Sequence, residues 1–423
     1  MFGFNDGVHL NYAGSYYGPD SFETFRSFRV VVLSLSLLGA GVLACLSMSV
    51  DDEAKRLIMR GIAGYVLMAG LNGFCSYINQ NTLRFRQYSR AIVLERTTFL
   101  LAVLILVGAG ARDYWWYVYG SVLAAFILLA YNISSSKELF WGPRTPLRAL
   151  SSKIWKNFSG GFALMIAIIL NQSMIIIGRL VIEGSFGIRA FGGYSFALSV
   201  LNVAGLVMNS ASQVTFPLVK RTAESEVPRV SRLLDLYASV LGALLLLVYF
   251  PVWALVDIAY VPYRALLSYL MFLFPLVIFQ GKFQLVVVNG FKIAGRMSSF
   301  LVVSVVGVCI EGIVCVAAAF LFHTVPSVVI ASVVGYVGQY YLAVSVLRGK
   351  AGRGLSLENL LDLVIAAAFV LICLVPARAL GLAGWYGLAV SFGGYVALML
   401  LVGYVQRRRL AWGFRQLRMF LSH

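Results

Sequence analysis

Twelve apolar stretches of about 17–30 residues follow one another from Val30 to the C-terminus, parted by short polar breaks. A helix of that length crosses the hydrocarbon layer of a bilayer, which is roughly 30 Å thick. Hydrocarbon offers no water to bond, and among single segments only a helix satisfies its own backbone groups there. The pattern predicts helices at 27–49, 57–80, 91–110, 114–134, 158–180, 190–218, 231–256, 262–281, 297–322, 325–347, 358–379 and 382–406. The expected fold class is all-α, a polytopic membrane protein with about 12 transmembrane helices.

Composition agrees with the pattern. The chain is 60% hydrophobic and 12% charged, with a mean hydropathy of +0.86. A soluble domain carries about twice that share of charge. The net charge of +17 would suit a nucleic-acid partner, but the placement of the basic residues argues otherwise. Alternate breaks hold 25 of the 34 Lys and Arg, among them Arg84, Arg86 and Arg90, the set from Lys137 to Lys156, and the tail from Arg407 to Arg418. The opposite breaks hold seven: Lys55, Arg56, Arg60, Arg112, Arg189, Arg264 and Arg378. This is the positive-inside bias, and it predicts that both termini are cytoplasmic. The basic excess is a topology signal first and a means of binding anionic headgroups second.

The five cysteines all fall in apolar stretches, with no metal or disulfide spacing. No break is long enough for a soluble domain, and residues 1–26 do not read as a cleavable signal. The longest break, 135–157, is cytoplasmic and interrupted by Pro143 and Pro146. Its basic second half suits a short amphipathic helix along the interface. The predicted organisation is an N-terminal lobe of four helices (1–134), a linker (135–157), a C-terminal lobe of six helices (158–347), and two additional helices with a basic tail (348–423). The first lobe reads as incomplete. The opening residues, with Phe2 and Phe4 before a polar run, read as the cytoplasmic end of a helix whose body is absent.

Three segments carry a resemblance. They are Gly3-Phe4-Asn5-Asp6-Gly7-Val8-His9-Leu10-Asn11-Tyr12-Ala13-Gly14, Arg84-Phe85-Arg86-Gln87-Tyr88-Ser89-Arg90, and Phe191-Gly192-Gly193-Tyr194-Ser195-Phe196-Ala197 followed by Phe216-Pro217-Leu218. In order and spacing the chain resembles the bacterial polysaccharide-biosynthesis flippases. These are the O-antigen and lipid-linked oligosaccharide transporters of the multidrug/oligosaccharidyl-lipid/polysaccharide superfamily. Two departures stand out: the family's first helix and most of its second are missing, and Gly178 stands before Arg179 where many relatives have an acidic residue.

The resemblance implies two helical lobes around a central cavity and alternating access in the bacterial cytoplasmic (inner) membrane. Its implied partner is an undecaprenyl-type lipid-linked glycan, with membrane lipids and the polysaccharide polymerase machinery as further partners. It implies a monomer with no cofactor, coupled to protons or sodium, and no nucleic acid.

Several polar residues inside the apolar stretches are candidates for this work. In helix 190–218, Ser195, Ser199, Asn202, Asn209 and Gln213 fall within about 80° of one another around the axis. Two readings fit such a stripe: a cavity wall bonding sugar hydroxyls, or polar glue between helices. In helix 158–180, Gln172 and Arg179 share a face, with Asn171 beside Gln172. A guanidinium there suits pyrophosphate or a sugar carboxylate, and it equally suits snorkelling or pairing with Glu183. Arg96, next to Glu95, supplies positive charge either to the cavity or to headgroups.

Glu311 is the deepest carboxylate, with Ser304 and Cys315 on its face. It reads as an ion-coupling site or as a neutral acid bonding a neighbouring helix. Asn72, Ser76 and Asn79 read as glue, and Asp257, Lys282 and Asp362 as solvated groups near helix ends.

Enzyme signatures are absent. The histidines are scattered, no zinc spacing occurs, and the Arg348–Gly354 turn lacks the ordered phosphate-loop pattern. No catalytic or metal residue is expected. The favoured function is flipping of lipid-linked oligosaccharide units for O-antigen, capsule or exopolysaccharide. The alternatives are a multidrug or small-cation exporter of the same superfamily and an integral-membrane glycan polymerase or ligase. The short opposite-side breaks argue against the last, which needs a large loop for its catalytic groups.

Overall fold

The computed structural model describes residues 3–222, 226–348, 357–378 and 384–407, and all regular structure in them is helical. The elements in chain order are α1 (Phe4–Tyr12), α2 (Pro19–Met48), α3 (Glu53–Asn81), α4 (Phe85–Gly108), α5 (Trp115–Ser135) and the short α6 (Lys137–Phe140). There follow α7 (Ser151–Arg221), α8 (Val227–Leu245), α9 (Tyr249–Ala259), α10 (Leu267–Leu273), α11 (Leu276–Lys282) and, after a π segment, α12 (Asn289–Ala294). The last four are α13 (Met297–Phe322), α14 (Val325–Arg348), α15 (Leu357–Arg378) and α16 (Gly384–Val405).

Ten helical runs among the described residues are long and apolar enough to span a membrane, and Tyr263–Leu273 and Leu360–Pro376 are shorter apolar helices. Each of the twelve predicted helices has a counterpart. The chain is an all-α, multi-pass membrane protein.

Boundaries differ in three places, each for a physical reason. First, α7, 71 residues long, is two helices that meet at the non-helical Gly187, so the predicted helices 158–180 and 190–218 are both present but joined without a longer break. A straight helix of that length would extend roughly 105 Å at 1.5 Å per residue. Both of its ends nevertheless return to α1. Gly161 packs on Gly3 and Gly7, and the Phe216 ring lies 4.9 Å from His9. The reversal occurs at Gly187, whose φ of 82° suits a residue without Cβ.

Second, the predicted linker helix is shorter. A 3₁₀ turn at Leu147–Leu150 leads directly into α7, so Lys153 and Lys156 belong to the long helix. Third, the break expected after residue 281 is absent. Pro275 separates α10 from α11, and a π segment, Phe283–Val288, carries the chain on into α12. The Arg348–Gly354 turn beyond Arg348 and the tail beyond Arg407 lie outside the described residues.

The chain forms two compact units. The first comprises residues 1–165 with 216–221, and the second 166–215 with 222–423. The first unit is built on α1. Phe4 and Val8 are fully buried in a cluster with Phe25, Phe28, Phe74 and Ile78. A Cβ on Gly7 would overlap the Asn157 carbonyl, and one on Gly161 would overlap the Gly3 carbonyl, so these glycines permit backbone-to-backbone packing. Asn72 donates to the Ala125 carbonyl at 2.8 Å and accepts from Asn132 at 3.1 Å, which ties α3 to α5. His9 is buried, 2.7 Å from Asn81 Oδ1 and stacked on Tyr77. Asp257, expected to be solvated, pairs with Arg264 at 2.9 Å in the second unit.

Candidate functional site

The second unit holds three polar clusters inside its helices. Burying a polar group in an apolar surrounding costs free energy unless it is bonded, so each cluster needs an account.

The first cluster is a cavity of about 140 Å³ lined by Asn171, Gln172, Asn202, Asn209, Gln280 and Gln284, with Tyr336 beside them. At roughly 30 Å³ per liquid water it holds a handful of waters. Its back wall is fixed by buried amides. Asn171 donates to the Ser304 hydroxyl at 2.8 Å and accepts from Gln339 Nε2 at 2.9 Å, joining α7, α13 and α14. Close approach of the helices depends on small residues: a Cβ on Gly307 would lie 2.5 Å from Gln339 Cγ, and one on Gly281 would lie 2.6 Å from Met208.

The π segment supplies Gln284. Its wider turn frees the Gln284 carbonyl, which accepts from the Ser212 hydroxyl at 2.8 Å, and Asn289 Nδ2 reaches the same hydroxyl at 3.1 Å. Among the described residues no charged side chain lines the cavity. Primary amides present donors and acceptors together, which matches hydroxyl-rich ligands.

The second cluster surrounds Glu311, which is 1% exposed on α13. Its Oε1 accepts from Ser332 at 2.5 Å and from the Cys315 thiol at 3.6 Å. Its Oε2 has no bonded partner and fills the space that a Cβ on Gly335 would occupy. A Cβ on Gly178 would lie 2.9 Å from the Tyr194 hydroxyl and 3.3 Å from Ser332 Oγ, which places α7 close to this cluster. Among the described residues no basic side chain forms an ion pair with Glu311.

The third cluster is ionic. Lys282, fully buried on α11, pairs with Asp235 of α8 at 2.6 Å and with Asp362 of α15, and it donates to Ser239 at 3.0 Å. This departs from the sequence expectation, which placed Lys282 and Asp362 at a solvated helix end. The helix runs on through the π segment, so Lys282 lies inside the bundle.

The structure brings four of the sequence candidates together in the amide cavity: Asn171, Gln172, Asn202 and Asn209. Ser195 and Ser199 are not among its lining residues. Ser199 bonds the Ser195 carbonyl on its own helix at 2.9 Å, and Ser195 Oγ is buried without a partner. Gln213 is exposed one turn beyond Asn209. Arg179 is half-buried, with its Nε unbonded. Arg96 is exposed on α4 in the first unit. Sequence reading missed Gln280, Gln284, Ser332 and Gln339. The i, i+4 glutamine pair was a visible signal, but it straddled a helix end predicted at residue 281.

Similarity to solved structures fits this architecture. The chain superposes on an outward-facing multidrug resistance MATE family transporter of the MOP superfamily with a TM-score of 0.68. That match has 12% identity and covers 87% of this chain and 84% of the other. A single-site mutant of the Vibrio cholerae MATE transporter VcmN gives a TM-score of 0.67 at 14% identity, covering 84% and 86%. A MOP superfamily transporter from Pyrococcus furiosus gives 0.63 at 13% identity, covering 87% and 84%. No protein-family model and no curated protein matches the sequence. The chain has the fold of the MATE transporters of the MOP superfamily.

Proposed function

We propose that this protein is a flippase that moves lipid-pyrophosphate-linked oligosaccharide repeat units across the bacterial inner membrane by alternating access. The observation that carries the reading is the amide cavity. Six of its side chains, Asn171, Gln172, Asn202, Asn209, Gln280 and Gln284, are amides, and no carboxylate among the described residues lines it. An exporter of organic cations needs negative charge at its pocket, whereas a glycan needs paired donors and acceptors. The Pyrococcus furiosus transporter is described as having a binding pocket of reverse polarity that suggests a different function. Pocket polarity is likewise the discriminating feature in this reading.

The fold supports a transporter rather than an enzyme, and one wall of the amide cavity, Asn202 and Asn209, lies on helix 190–218, whose ends carry segments that resemble the polysaccharide flippases. The substrate in this reading is an undecaprenyl-type lipid-linked glycan for O-antigen, capsule or exopolysaccharide. Glu311 is the proposed coupling group for protons or sodium, because it is a deep carboxylate with one oxygen unpartnered. Arg179 is proposed to meet the pyrophosphate or an acidic sugar. The test is complementation of a host deleted for its own flippase and carrying the matched glycan genes. Restored surface polysaccharide supports the reading. Correct membrane insertion without restoration, together with gained resistance to cationic drugs, overturns it in favour of the exporter.

A further inference from the structure

Ser332, Gly335, Tyr336 and Gln339 stand at i, i+3, i+4 and i+7 on α14, so they share one face of that helix. This face meets both the Glu311 cluster and the amide cavity. At its first turn Ser332 donates to Glu311 Oε1 at 2.5 Å. Gly335 leaves room for Oε2, since a Cβ there would overlap that oxygen and stand 3.4 Å from the Glu311 Cα. At the next turn Tyr336, 6% exposed, lines the cavity and packs edge-on against Phe283 of the π segment, 5.9 Å between ring centres. One turn further, Gln339 donates to Asn171 of the cavity wall at 2.9 Å and lies against Gly307, one turn before Glu311 on α13. Only about 10 Å of continuous helix separates Ser332 from Gln339, so a shift of α14 at one cluster reaches the other.

Taking Glu311 as the coupling group of the proposed function, we propose that α14 carries its ionisation state to the amide cavity, with Ser332 and Gly335 as positioning residues. The ionised carboxylate holds α14 against α13 and keeps the cavity wall in place. The protonated carboxyl lets α14 slacken, and Tyr336 and Gln339 slacken with it. Three observations support this. The first is how the charge is met. Among the described residues no basic side chain pairs with Glu311; Ser332 reaches it from another helix, and the Cys315 contact lies within α13. A hydrogen bond to an ionised group is roughly twice as strong as a neutral one. Protonation therefore weakens the bond across the seam and frees the Ser332 hydroxyl for a carbonyl of its own helix, the ordinary alternative for a helical serine.

The second observation is the absence of slack: the Gln339 chain fills the space beside Gly307 as the Glu311 carboxylate fills that beside Gly335, so α14 cannot move without moving Gln339. The third is that both ends of the seam hold a buried acceptor without a partner, Glu311 Oε2 and Gln339 Oε1, which a second arrangement of the helices can satisfy. The titratable groups that face Glu311 are Cys315 on α13, Tyr336 on α14 and Tyr194 on α7, with Arg179 near Tyr194. Thiols and phenols ordinarily titrate above about pH 8, and guanidinium higher still, so below it Glu311 is the member of this set that changes charge.

The test is hydrogen exchange of the full chain in detergent across a pH series, corrected for the intrinsic rate. Residues 333–340 of α14 and 168–175 of α7, which Gln339 holds, should exchange roughly 5-fold faster once Glu311 is protonated. That factor corresponds to the about 1 kcal/mol between a charged and a neutral hydrogen bond. The response should vanish in Glu311→Gln and in Ser332→Ala. A merely structural Ser332 would lower protection at every pH and leave the response intact, and that result overturns the proposal. So does protection in the parent that ignores pH, or that follows sodium at fixed pH. If Ser332→Ala does not fold, the parent and Glu311→Gln decide: a response of α14 that does not extend to 168–175 overturns the transmission. Loss of gradient-driven transport in Glu311→Gln with α14 unchanged would leave Glu311 as the coupling group and overturn the transmission alone. The full exchange response without gradient-driven transport supports the transmission and removes Glu311 from coupling.

Discussion

Lys282 on α11 and Asp362, eighty residues later on α15, form an ion pair sealed from solvent, with Asp235 of α8 on the ammonium's other side. One lysine thus joins three helices that the sequence pattern treats as separate spans. Removing one partner of a buried ion pair leaves an uncompensated charge, at a cost of about 3–5 kcal/mol. Lys282→Met, which strands two carboxylates, should destabilise more than Asp362→Asn, which leaves Lys282 paired with Asp235. Thermal unfolding in detergent reads the order directly, and equal melting temperatures for the two variants would contradict it.

Asn171 and Asn202 separate structure from function in the same cavity. Asn171 spends both ends of its amide on Ser304 and Gln339, so Asn171→Leu leaves buried partners unbonded and should cost about 1–3 kcal/mol. Asn202 and Asn209 are exposed residues of the cavity wall. Asn202→Ala with Asn209→Ala should keep the melting temperature of the parent while reducing transport. Loss of folding without loss of transport per folded molecule would reverse these roles.

Glu311→Gln keeps the size of the side chain and an acceptor for Ser332. The variant should fold. Transport measured across a pH series should lose its response to an imposed proton or sodium gradient while downhill exchange persists. An unchanged gradient response would remove Glu311 from coupling.

Gly161 touches Gly3 and Gly7 through backbone atoms, which cannot swing aside as a side chain can. Gly161→Ala should therefore cost at least the roughly 1–3 kcal/mol of overpacking and loosen α1. Faster hydrogen exchange along α1 would report this. Gly184, which has open space around it, serves as the tolerant control.

What the sequence revealed follows from which physics is local. The apolar runs marked every spanning helix because backbone satisfaction in lipid is a property of each segment alone. The polar stripe of helix 190–218 was legible because its spacing is helical, and Asn202 and Asn209 do reach the cavity. Partners across helices were not legible. Gln284 and Gln339 contribute through a π turn and a neighbouring helix, neither of which leaves a periodic trace. Lys282 was misplaced for the same reason: a lysine beside a predicted helix end resembles a solvated one until Asp235 and Asp362 are brought to it. Ser195 and Asn202 share a helical face, yet only Asn202 lines the cavity, because alignment along the 19 residues from Ser195 to Gln213 does not fix depth.

In the proposed function this fold moves glycan-bearing lipid rather than organic cations. The most direct test reconstitutes the full chain in liposomes holding an undecaprenyl-pyrophosphate-linked sugar in one leaflet and follows its exposure to an enzyme confined to the opposite side. A parallel set of liposomes carries a fluorescent organic cation. The account predicts protein-dependent exposure of the sugar, slowed by Asn202→Ala with Asn209→Ala, and no movement of the dye. Movement of the dye, with the sugar lipid left in place, would contradict it.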